Sequence, residues 1–71
     1  MVKYMKSFYD VQQLLKRYGT FIYTGDRLGD VQLMDLEIDE LYKSKLITNE
    51  EFTKSKLVLR KEMTTLKHTS S

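Results

Sequence analysis

No proline interrupts this chain, and only Gly19, Gly25 and Gly29 lack a side chain. Inside a helix proline and glycine are the costly residues, about 3 and 1 kcal/mol worse than alanine, so the helix breakers all fall in one short window. The three glycines are therefore expected at element boundaries. Chain length narrows the choice further: 71 residues hold one hydrophobic core, and no second domain fits. With no Cys and a single His, His68, the chain has neither a disulfide nor the usual ligands of a structural zinc. What remains is well-packed helices or self-association.

Apolar spacing predicts three helices. Phe8, Val11, Leu14, Leu15 and Tyr18 fall on one arc of a helix over about 7–18, with Asp10, Lys16 and Arg17 off it. Ser7 suits its N-cap and Gly19 its left-handed end. The segment TFIYTG, residues 20–25, is too short for another helix, so a packed loop is expected, with Phe21 and Ile22 plugging the end of the bundle. A second helix over about 26–45 places Leu28, Val31, Met34, Ile38, Leu41 and Tyr42 on its core face and leaves Leu33 and Leu36 on the other side. The third, over about 48–66, starts at a capping box, Thr48 with Glu51, and Ile47 can pack onto Phe52. Its core face continues through Leu59, Met63 and Leu66, with Ser55 and Lys56 at the edges and Leu57 pointing away. Residues 67–71 read as a frayed tail.

Charge is patterned more strongly than the net value of +2 suggests. Residues 1–25 carry four bases against one acid, residues 26–47 six acids against three bases, and residues 48–71 five bases against three acids. Acids on the middle helix that face water or pair with basic neighbours are expected to account for this pattern, with a polarised binding surface as the alternative. The opening MVKYMKSFYD has no apolar signal run, and no stretch reaches the roughly 18 apolar residues of a membrane span. A cytoplasmic protein is expected.

Residues for catalysis are missing. There is no Cys nucleophile, and His68 sits in the tail, where a fixed general base is not expected. Asp26 and Asp30 lie one helical turn apart, as acids at a helix N-terminus do for dipole reasons alone. The glycines match no phosphate-binding loop. No enzymatic activity, cofactor, metal or small-molecule substrate is expected.

One stretch has binding chemistry. KRYGTFIYTGDR, residues 16–27, interleaves Lys16, Arg17 and Arg27 with Tyr18, Phe21 and Tyr23, the mixture of cations and stacking rings that holds single-stranded nucleic acid. Lys56, Arg60 and Lys67 share a flank of the third helix and extend that reading. The candidate nucleic-acid contacts are Lys16, Arg17, Tyr23, Arg27, Lys56 and Arg60. The alternative is a structural module that self-associates or docks a protein partner through Leu33, Leu36 and Leu57.

The run FYDVQQLLKRYGTFIYTGDRLGD, continued by DELYKSKLI and EEF, closely resembles the YqgQ-like family of small cytosolic bacterial proteins, over roughly Phe8 to Leu66. The resemblance implies a three-helix structure and brings no active site to carry over. Separately, LYKSKLITNEEFTKSKL is similar to the helical hairpin of short C-terminal domains. Together these readings predict an all-α, single-domain three-helix bundle with a long hairpin of the second and third helices.

Overall fold

A computed structural model describes residues 7–69, and side chains as far as Leu66. It is an all-α bundle of three helices, α1 (Phe8–Arg17), α2 (Arg27–Lys43) and α3 (Asn49–Thr69). The described residues contain no strand. The principal packing is α2 against α3, which form an antiparallel hairpin, and α1 closes over both. The core is Val11, Leu14 and Leu15 of α1, Val31, Met34, Ile38 and Leu41 of α2, Leu59 of α3 and Ile47 from the hairpin turn.

Local chemistry fixes each boundary. The Asp10 carboxylate accepts from the Ser7 N–H at 3.3 Å and the Ser7 hydroxyl at 3.4 Å, which holds the start of α1. At the other end Gly19 takes φ +80°, and the N–H groups of Thr20 and Gly19 donate to the carbonyls of Leu15 and Lys16, each at 3.0 Å. That is the paired Schellman closure, which satisfies carbonyls that the helix end would leave bare. Asp26 caps α2 by accepting from the Gly29 N–H at 3.0 Å. A Cβ on Gly29 would lie 3.1 Å from the Asp26 carboxylate, so the glycine gives this cap its room.

The end of α2 differs from expectation. It stops at Lys43, because Lys45 takes the left-handed conformation, φ 62°. The Leu46 N–H then donates to Leu41 at 2.9 Å and that of Lys45 to Tyr42 at 3.0 Å, repeating with a lysine the closure that α1 makes with a glycine. The α3 capping box forms as its sequence suggests, with Thr48 N–H to Glu51 Oε1 at 2.9 Å and Glu51 N–H to Thr48 Oγ1 at 3.0 Å. Helix α3 continues to Thr69, so the stretch expected to fray is helical through Lys67, His68 and Thr69. The side chains of Lys67 and His68, and all of residues 70–71, lie outside the described set.

Two core assignments change. Ser55 is not at an edge but fully buried. Tyr42 is partly exposed and stacks on Phe52, with ring centroids 4.0 Å apart and planes 16° from parallel. Every buried side-chain nitrogen and oxygen among the described residues has a hydrogen-bond partner.

Candidate functional site

The loop from Tyr18 to Asp26 is ordered by alternation. Thr20, Ile22 and Thr24 turn towards α2: the Thr20 hydroxyl donates to Glu37 at 3.5 Å, Ile22 packs on the core, and Thr24 is held by Asp30. The intervening side chains face outward, and Phe21 and Tyr23 are 81% and 80% exposed. Phe21 therefore does not plug the bundle, contrary to the expectation from its apolarity; Ile22 turns inward and its two neighbours turn out. The two rings are the most exposed large apolar side chains among the described residues.

The loop is tied down at several points. Asp30, itself buried, accepts from both the N–H and the hydroxyl of Thr24, each at 2.7 Å. The Tyr18 hydroxyl donates to the Leu46 carbonyl at 2.8 Å, joining the end of α1 to the α2–α3 turn. The Lys16 ammonium lies 5.8 Å from the centroid of the Phe21 ring, within cation–π range. Beside it Arg17 is exposed and enters no ion pair with a described residue.

The six candidate contacts do not form one surface. Lys16, Arg17 and Tyr23 belong to the end of α1 and its loop. Arg27 pairs with Glu62 of α3 and lies 4.3 Å from the Phe8 ring centroid, so one guanidinium joins all three helices. Lys56 bridges Asp35 at 2.9 Å and Asp39 at 2.8 Å. Burial alone would lower the Lys56 pKa, but hydrogen bonds and charge from the two carboxylates outweigh it and raise the pKa above the ordinary lysine value. Both of these cations are committed to neighbours within the fold. Arg60 is exposed on α3 without an ion pair among the described residues.

The three candidate leucines are also divided. Leu33 and Leu36 are 44% and 61% exposed on α2. Leu57 lines a separate groove of about 530 Å³ between α1 and α3, together with Tyr9, Arg27 and Glu62. A smaller pocket, about 90 Å³, lies between α1 and the loop, with Gln13, Lys16 and Phe21 at its edge and Leu15 and Met34 beneath. Sequence reasoning missed Phe21 as an exposed ring and Asp30 as the anchor of the loop. The period-two run TFIYT followed by an acid carried that signal.

No group of three or more His, Cys, Asp or Glu placed to hold a metal ion occurs among the described residues, and no helix there is long and apolar enough to cross a membrane. The fold and the loop thus define a small all-α three-helix protein whose most exposed aromatic rings sit on one ordered connection. The chain belongs to the YqgQ-like family, whose sequence model matches residues 5–65. A Bacillus subtilis (strain 168) protein named "Uncharacterized protein YqgQ" is 44% identical over 59 residues, which cover 83% of each chain.

Proposed function

We propose that this protein is a non-enzymatic, cytoplasmic binding module that holds single-stranded nucleic acid weakly on its α1–α2 loop. One observation carries the reading: Phe21 and Tyr23, 81% and 80% exposed, stand on an anchored loop, with the Lys16 ammonium 5.8 Å from the Phe21 ring centroid and the exposed Arg17 next to it in the chain. Stacked bases and tracked phosphates are the two contacts that single strands make with proteins, and neither needs a particular sequence. Phe21 and Tyr23 supply the platforms, Lys16 and Arg17 the phosphate contacts, and Arg60 a more distant one. Arg27 and Lys56 contribute little, since each is already neutralised by a carboxylate.

Fluorescence anisotropy with a labelled strand tests this. Two or three phosphate contacts, at about 0.7 each, give a slope of log affinity against log salt of roughly −1.4 to −2. Arg17→Ala flattens that slope by one contact. Tyr23→Ala lowers affinity by about 1–3 kcal/mol and leaves the slope unchanged, because stacking releases no counterions. Binding that ignores salt, or no binding, rejects the reading.

A second reading has its own observation: Leu33 and Leu36, 44% and 61% exposed, give α2 an apolar outer side suited to a second copy or a protein partner. Leu33→Glu with Leu36→Glu would then split an oligomer and leave a folded monomer. Sedimentation of the unaltered protein as a monomer at high concentration removes the self-association form of this reading.

A further inference from the structure

Three hydrogen bonds lay the loop in a line along α2. Tyr18 donates to the Leu46 carbonyl in the α2–α3 turn, Thr20 to Glu37, and Thr24 to Asp30 in the first turn of α2. Successive loop residues therefore run from the C-terminal end of α2 to its N-terminal end, and Phe21 and Tyr23 lie in order on a track whose head is the α2–α3 turn. Both helix ends at that head are basic. Arg17 precedes Tyr18 and Lys45 precedes Leu46, so the 2.8 Å bond from Tyr18 to Leu46 brings these two cations to one end of the bundle, each one residue from the joint. Lys16 and Lys43 stand behind them in the last turns of α1 and α2.

All four cations are exposed, and none enters an ion pair with a described residue. Most acids at this end are engaged. Glu50 pairs with Lys54 at 3.1 Å, Asp39 pairs with Lys56, Glu37 accepts from Thr20, and the buried Glu51 accepts from the Thr48 N–H. The exposed Glu40 carboxylate has no partner among the described residues, which leaves four uncommitted cations against one acid. The dipole favours a base in the last turn of any helix, and that accounts for Lys16, Arg17 and Lys43 singly. It does not account for Lys45, which lies beyond α2 at φ 62°, where glycine fits without strain and where α1 makes the same closure with Gly19. Strained backbone of this kind gathers at binding sites.

We infer that the α2–α3 turn is the second half of the strand site: a single strand stacked on Tyr23 and Phe21 continues past Lys16 and Arg17 and sets its next phosphates on Lys45 and Lys43. The inference rests on the strand-binding reading and extends it by two phosphate contacts.

Salt dependence counts those contacts. With a labelled oligothymidylate of about 12 nucleotides, two further contacts at about 0.7 each steepen the expected slope of log affinity against log salt from roughly −1.4 to −2 to roughly −2.8 to −3.5. Lys45→Gly flattens the slope by about 0.7 and weakens binding about fivefold at about 0.1 M salt, and adding Lys43→Gln brings these to about 1.4 and about 25-fold. Because Lys45→Gly also relieves the backbone, its denaturant midpoint holds or rises while affinity falls, which separates a lost contact from a damaged fold. Lys61→Gln is the control: Lys61 lies on α3 beside Ser7 and Phe8, at the start of α1, and this variant lowers the net charge equally but leaves the slope in place. A parent slope no steeper than about −2, or a Lys45→Gly variant that loses no more affinity than Lys61→Gln, overturns the extension and leaves the loop reading intact. A steep slope that Lys45→Gly flattens, with Tyr23→Ala binding as tightly as the parent, keeps the basic end and overturns the loop as a stacking platform. No binding at low salt rejects both.

Discussion

The Asp30 carboxylate receives the backbone N–H and the side-chain hydroxyl of Thr24, both at 2.7 Å, across six residues of chain. One buried oxygen of the first turn of α2 thereby fixes the loop that carries Phe21 and Tyr23. Hydrogen bonds to a charged acceptor contribute about 1.5–3 kcal/mol each, more than neutral ones. Asp30→Ala is therefore expected to lower unfolding free energy by about 2–3 kcal/mol and to speed amide exchange at Thr24. An unchanged denaturant midpoint with slow exchange at Thr24 refutes this role.

Lys45 is the one non-glycine residue with positive φ among the described residues. A left-handed conformation costs an L-residue about 1–2 kcal/mol, and glycine returns about 0.4–1 of that through the greater freedom of its unfolded chain. Lys45→Gly is expected to raise stability by about 0.5–1 kcal/mol, read as a higher denaturant midpoint at constant slope. A lower midpoint would mean that the lysine side chain makes a contact worth more than the strain.

Gly19→Ala isolates the same effect in reverse. A Cβ there meets nothing within 4 Å, so the expected loss of about 1–2 kcal/mol is conformational alone. Thr48→Ala removes a cap of a different kind and is expected to lose about 1 kcal/mol. Equal midpoints for parent and both variants would disprove these assignments of the helix ends.

Lys56 predicts an alkaline limit. Its pKa is raised in the folded protein, so the stability it confers is complete below the unfolded lysine value, about 10.4, and is lost as pH rises through the higher folded value. Lys56→Met should weaken the protein at neutral pH by about 1 kcal/mol, since Asp35 and Asp39 lose their shared partner. Above about pH 10 the difference between parent and variant should shrink. A difference that stays constant to high pH contradicts the linkage.

Much of the fold was legible because helices announce themselves through spacing. Val11, Leu14 and Leu15, or Val31, Met34 and Ile38, repeat with the helical period, and each of them is buried. The α3 capping box follows from two residues three apart, and its hydrogen bonds are local. Lys45 was not legible: nothing in its side chain favours positive φ, and the turn is imposed by where α2 and α3 must meet. Phe21 is exposed although apolar, because the alternation of side chains along the loop, with Ile22 inward, decides which of them is buried. Arg27 and Lys56 read as free cations because their partners, Glu62 on one side and Asp35 and Asp39 on the other, are distant in the chain.

The loop is closed at one end by the Gly19 turn and at the other by the Asp26 cap, with Thr24 fastened between them. A partner that meets Phe21 and Tyr23 finds their backbone already in place, so association forfeits little main-chain entropy on this side. The ordering cost then falls on the other molecule. Such a surface favours thin, pliable chains that can conform to two outward rings, and duplexes or rigid globular faces, which cannot bend to meet them, would be discriminated against by stiffness before any chemical group is compared.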